Sequence, residues 1–128
     1  MIGEWKGACT ANPTPGGSSH YVDQYSFSES GVDFRVEYYE DPDCTVQLSA
    51  GDNSTLRGEY TLGSPVTTAE GLAAREINFV FSELDGEAIG LEYQDLVTVD
   101  GNTLYLGTES ETGSRTDSLN LEEPLLRQ

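Results

Sequence analysis

Basic side chains are scarce in this chain. One lysine, Lys6, and five arginines stand against 23 acids, and the formal net charge at pH 7 is −17. Nucleic-acid binding needs clustered Lys and Arg to displace counterions, and no such cluster exists. Docking on anionic lipid is disfavoured for the same reason. No apolar run approaches the ~18 residues of a membrane-spanning helix, so no membrane span is expected. Histidine occurs once, as His20, and cysteine twice. One His and two paired Cys do not supply a zinc site. A Gly-x-Ser-x-Gly nucleophile elbow is also missing. No cofactor is expected, and the chain is read as a non-enzyme.

Apolar material is present in quantity: 36% of residues are hydrophobic, with seven Tyr, four Phe and one Trp. Acidic disordered chains are poor in aromatics, so the charge does not imply disorder. At 128 residues the chain reads as one domain, 1–128, able to bury one real core. The acid surplus reads as the solubility of an exported protein, with a salty habitat or cation binding as the other accounts. Met1 leads straight into Ile2-Gly3-Glu4-Trp5, which looks like the start of a strand. The chain is therefore expected to begin at a mature or domain boundary, with Met1 added.

Alternation dominates the pattern. Trp5, Gly7 and Cys9 share one side of a first strand, and residues 11–19 are a turn-rich loop of Pro, Gly, Ser and Asn. Tyr21, Asp23, Tyr25 and Phe27, then Val32, Phe34, Val36 and Tyr38, form two period-two runs around Ser30-Gly31, a hairpin signature. Cys44, Val46 and Leu48 read as a short strand after the Glu40-Asp41-Pro42-Asp43 turn. Leu56 to Leu62 is another, ended by Gly63-Ser64-Pro65. Ala73, Arg75, Ile77, Phe79 and Phe81 share one face of the next. Asp85-Gly86 and Asp100-Gly101-Asn102 mark two further hairpins. Only residues 68–75 and one turn within 118–128 have helical character. Eight to ten strands with turns at short intervals predict an all-β antiparallel barrel or half-barrel, with a two-sheet sandwich as the alternative.

Pairing Cys9 with Cys44 would close a loop of about 35 residues, worth roughly 3–4 kcal/mol by chain entropy. Such a bond implies an oxidising compartment, hence a secreted or periplasmic protein. The alternative is two buried free thiols in the cytosol. The position of both cysteines at strand ends favours the disulfide.

Acids crowd two turns, Glu40/Asp41/Asp43 and Glu83/Asp85/Glu87. They read as solvated turns first and as calcium ligands second, since the EF-hand pattern is absent. Arg75 shares the register of Ile77 and Phe79, read as the core face. A buried Arg needs a partner, either a structural acid or aromatic edge or a ligand's anionic head group. A bulge that turns it outward is the remaining account. Inward aromatics either fill a barrel or line a cavity, and tyrosine hydroxyls favour a cavity because they need partners. The expected lining is Tyr25, Tyr38, Tyr60, Arg75, Phe79 and Tyr93.

Gly3-Glu4-Trp5 resembles the Gly-x-Trp motif of lipocalins and the wider calycin barrels. The resemblance implies that Trp5 packs under the closed end of a barrel, beside an arginine from late in the chain, for which Arg115 is the candidate. The Thr-Asp-Tyr type turn and the long C-terminal helix of lipocalins are missing. The order Trp5, Cys9, Tyr25, Phe27, Phe34, Tyr38-Tyr39 and Cys44 is similar to the lipid-binding domain of the adenomatosis-polyposis-coli-down-regulated family. It is also similar to small bacterial lipocalin-like exported proteins, as are Leu104-Tyr105-Leu106-Gly107 and Arg115. The likeness spans about residues 3–48, and 97–121 more loosely. It implies a barrel or half-barrel with an apolar ligand. The functional expectation is an exported protein holding a small apolar or amphipathic molecule. The alternative is a surface or adhesion module with a filled core, a protein partner and recognition on the 11–19 loop. An acid-based hydrolase, which would need two carboxylates facing one cleft, comes third.

Overall fold

A computed structural model of the chain describes residues 1–11, 20–47, 54–108 and 115–128. Among them are nine strands: β1 (Gly3–Lys6), β2 (Thr10–Ala11), β3 (His20–Phe27), β4 (Gly31–Tyr39), β5 (Ser54–Thr67), β6 (Ala73–Leu84), β7 (Glu87–Asp100), β8 (Thr103–Leu106) and β9 (Leu125–Arg127). Every pairing is antiparallel, and β3 to β8 form a meander. β9 pairs with both β8 and β1, and β1 pairs with β3. The sheet thus closes as an eight-strand barrel, which is the predicted fold class in its closed form. Closure removes the exposed edges that an open sheet presents. β2 is the extra strand. It continues along β3 beyond β1 after a break at residues 7–9, where Gly7 N–H donates to Asp23 O at 2.9 Å.

The turns follow their chemistry. Asp85 and Gly86 both take positive φ (52° and 87°) between β6 and β7, as a type I′ hairpin requires. Gly101 takes φ 61° at the first central position between Asp100 and Thr103. The Cys9–Cys44 disulfide is formed, with the two Cα atoms 5.9 Å apart.

Four local expectations are corrected. β5 does not end at Gly63-Ser64-Pro65 but runs to Thr67, because a register shift between Leu62 and Pro65 accommodates the missing proline N–H. Residues 68–72 are a turn, not a helix. Ala73 and Ala74 are drawn into β6 by pairing with Thr67 and Val66. No helical turn forms in the described tail, whose last residues pair as β9. The segment after Cys44 makes one bridge, Tyr39 to Gln47, rather than a strand, because the Asp41 carboxylate holds Thr45 N–H and Val46 N–H in a turn. Leu48, the Ala50-Gly51-Asp52-Asn53 turn and most of the 11–19 loop lie outside the described residues.

Trp5, Phe27, Val32, Tyr60, Ile77 and Leu104 pack one end of the interior. Trp5 is fully buried and donates Nε1–H to Met1 O at 2.8 Å. The arginine over its ring is Arg127, 4.2 Å from the centroid, and not Arg115. β9 delivers Arg127 directly, since Trp5 and Arg127 are paired residues. Arg115 lies elsewhere, at the start of a strap that covers the outer face of β6 and β7. It donates to Ile77 O (3.1 Å), Asp95 O (2.7 Å) and Asn78 Oδ1 (2.6 Å), and pairs with Glu76 at 2.9 Å. Leu119 of the same strap is buried against Ala74 and Leu96 in a second, external core.

Candidate functional site

Inward side chains do not fill the other end of the barrel. A cavity of about 400 Å³ lies there. Its wall is aromatic and aliphatic: Tyr25 from β3, Phe34 from β4, Leu56 from β5, Phe79 and Phe81 from β6, Leu91 and Tyr93 from β7. The rings form one continuous surface. Tyr25 and Phe34 are 4.7 Å apart, Phe79 and Phe81 stack at 5.5 Å, and Phe79 lies 6.5 Å from Tyr25 and 6.4 Å from Tyr93. Such spacings are those of favourable aromatic pairs.

The opposite side is made of backbone and short side chains. β8 and β9 contribute four and three residues, and β1 breaks at Gly7. Gly7, Ala8, Thr10, Gly107, Asn120 and residues 122–124 complete the lining in place of a full ladder.

Four acids are among the described lining residues: Asp23 on β3, Asp95 on β7, and Glu122 and Glu123 just before β9. Asp95 is 4% exposed. Its Oδ1 accepts from Leu96 N–H at 2.8 Å and Gly107 N–H at 3.0 Å. Burial pushes its pKa up to about 6, against the pull of those two N–H groups and of Arg115. Gly107 is needed at that spot, because a Cβ there would collide with Asp95 Oδ1 and Thr116 Cγ2. Burial also drives the Tyr25 phenol far up, with Asp23, Asp95 and Tyr93 adding to the effect, so the hydroxyl keeps its proton. Asp23, Tyr25, Tyr93 and Asp95 are therefore one electrostatic group.

Of the expected lining residues, Tyr25, Phe79 and Tyr93 meet around the cavity. Tyr60 instead belongs to the packed end, its hydroxyl donating to Ser28 O at 2.6 Å and its ring edge-on to Phe27. Tyr38 pairs with Tyr21 near the far end of β4 and does not line the cavity. Arg75 is exposed and donates to Gly63 O at 2.9 Å. Its register is the inward one, paired with Val97, but β4 has its last pairing with β5 at Glu59. The Pro65–Arg75 pair lies past that rim. Asp23 and Asp95 were not among the expected residues. The signal was strict alternation, Tyr21-Asp23-Tyr25 and Leu91-Tyr93-Asp95-Val97.

Among the described residues no group of three or more His, Cys, Asp or Glu is placed to hold a metal ion. Asp41 uses both oxygens on Thr45, and Asp85 Oδ1 accepts from Thr55 N–H at 2.8 Å. His20 pairs with Ala11 and Tyr39, away from the cavity lining. The class defined by fold and site is a closed antiparallel β-barrel with an internal, aromatic-walled cavity. Comparison with family models, with curated proteins and with solved structures returns no match.

Proposed function

We propose that this protein is an exported binding protein that holds a small apolar or amphipathic molecule inside its barrel, in the manner of lipocalin-like barrels. The cavity carries this reading. A filled interior would have favoured a surface module, whereas about 400 Å³ falls within the range of small-molecule sites. Apolar walls with a few placed polar groups suit an amphipathic guest. The Cys9–Cys44 bond supports an oxidising compartment. No helix among the described residues is long and apolar enough to cross a membrane.

Saturable uptake of a neutral fluorescent naphthalene probe, displaced by a lipid extract, is the expected result. No saturable uptake, and no guest retained from extracts, would overturn the proposal. The hydrolase reading draws on Asp23 and Asp95 sharing one cavity, with Asp95 protonated in mild acid. Against it, no Ser, Cys, His or Lys is among the described lining residues, and Asp95 Oδ1 is engaged by two backbone N–H groups. Steady release of nitrophenol from nitrophenyl glycosides or esters in mild acid would establish it instead.

A further inference from the structure

The charges of the lining narrow the guest. Asp23 and Asp95 face the cavity, Glu122 and Glu123 stand at its mouth, and no Lys, Arg or His lines it among the described residues. The chain's five arginines are engaged elsewhere: Arg35, Arg57 and Arg115 with Glu37, Asp33 and Glu76, Arg127 over Trp5, and Arg75 on Gly63 O. An anionic head group would meet four carboxylates and no cation. A buried anion without a partner is strongly disfavoured, so a fatty-acid carboxylate is the wrong guest.

Resting on the container reading above, we infer that the cavity takes an organic cation: a small molecule with an alkyl or aromatic body and one protonated amine. The body lies against Phe79, Phe81 and Tyr93, and the ammonium reaches Asp95. Three observations support this. Asp95 is held by backbone N–H groups on Oδ1 alone in a cavity that gives it no basic side chain. An ammonium hydrogen-bonded to a carboxylate is a strong charge-assisted pair. Aromatic faces, of which Tyr25 and Phe79 supply two, attract cations as well as alkyl groups. The net charge of −17 also raises the local concentration of cations around the mouth. A calcium ion is a poorer fit, because it demands six or more oxygen ligands and makes no use of an aromatic wall.

The groups that set the charge near Asp95 are Asp23 and Tyr25 on β3, Tyr93 on β7 and Arg115 behind it. Asp95 is mostly ionised at neutral pH and mostly protonated in mild acid, so the preference for an amine should fade below about pH 6.

The test is a matched series of octylamine, octanol and octanoate, measured by calorimetry near neutral pH and at physiological salt. Octylamine should bind about tenfold or more tighter than octanol, with octanoate weakest. Asp95→Asn should bring octylamine down to the octanol value while octanol binding persists, which also shows that the variant keeps its cavity. Glu92→Gln removes the same charge from the exposed face of the same strand, and should leave the order unchanged. Octanol binding as tightly as octylamine, or Asp95→Asn retaining the amine preference, would overturn the cation inference and leave the container standing. Failure of all three to bind, with nothing captured from extracts, would remove both.

Discussion

The barrel wall is built in two unlike parts. β3 to β7 run for eight to fourteen residues each and carry the aromatic face of the cavity. β1, β2, β8 and β9 run for two to four residues and surround its mouth. The long wall holds itself through its ladders, with eight paired positions between β3 and β4, six between β4 and β5, ten between β5 and β6 and nine between β6 and β7. The short seam has too few ladder bonds to hold itself, so side chains and covalent chemistry hold it. Trp5 with Arg127, the Cys9–Cys44 bond, the Asp95–Gly107 contact and the strap's Asn120, whose N–H donates to Leu106 O, all act there. Low local stability and access go together in proteins. On the proposed binding role, the seam, with the fewest ladder bonds, is the part of the wall expected to open for a guest.

The largest effect should come from the anchor of that seam. Trp5→Ala empties a fully buried site and is expected to cost about 3–5 kcal/mol in urea unfolding. A loss under about 1 kcal/mol would mean that the long wall alone defines the barrel. Next comes the disulfide. The native protein should resist alkylation until reduced, and Cys9→Ser with Cys44→Ser should cost roughly 3–4 kcal/mol for the 35-residue separation. Hydrogen exchange should also accelerate at Gly7, whose N–H bonds Asp23 O beside the break, more than on β6. Equal acceleration everywhere would show that the bond acts globally and does not tie the seam.

The same division explains what could be read from the residues alone. Period-two alternation and the turns at Ser30-Gly31, Asp85-Gly86 and Gly101-Asn102 are local, and they identify the long wall strand by strand. Parity reports which face a residue takes but not how far along the barrel it lies. Arg75 and Tyr38 have inward parity yet sit beyond the cavity, whereas Tyr60 lies in the packed end. Asp95 was legible by parity but hidden by its chemistry, since an acid interrupts an apolar run. The seam is built from contacts distant in sequence. Arg127 over Trp5 depends on how β9 closes the barrel, which no short-range pattern encodes, and a resemblance pointed to Arg115 instead.

Asp95 joins the two parts, standing on β7 and bonding the end of β8. Its folded pKa of about 6 exceeds its ordinary 3.8, so the folded state binds the proton more tightly than the unfolded chain does. The stability this contributes is fully present below about pH 4 and is lost as pH rises through 6, a span worth roughly 2–3 kcal/mol. Asp95→Asn stays neutral and keeps an oxygen for Leu96 and Gly107. It should therefore exceed the parent in stability near pH 7.5, by up to about that amount, and match it near pH 4. Paired denaturation curves across this range give the difference directly. A variant that is less stable at both ends would mean that the ionised carboxylate is needed to hold the seam.

The smallest effects set one arginine of the strap against one of the wall. Arg115 is half-buried and satisfies three acceptors besides its ion pair with Glu76, two of them main-chain carbonyls of β6 and β7. Arg115→Ala should cost about 1–2 kcal/mol, because it strips charge-assisted bonds and frees the strap that buries Leu119. Arg57 makes an equally short pair with Asp33, at 2.9 Å, but on the exposed outer face of β5. There the long ladder already fixes the backbone and solvent screens the charges, so Arg57→Ala should cost well under about 1 kcal/mol. Equal costs for the two would erase the distinction, because the strap would then matter no more than an ornament on a wall that stands without it.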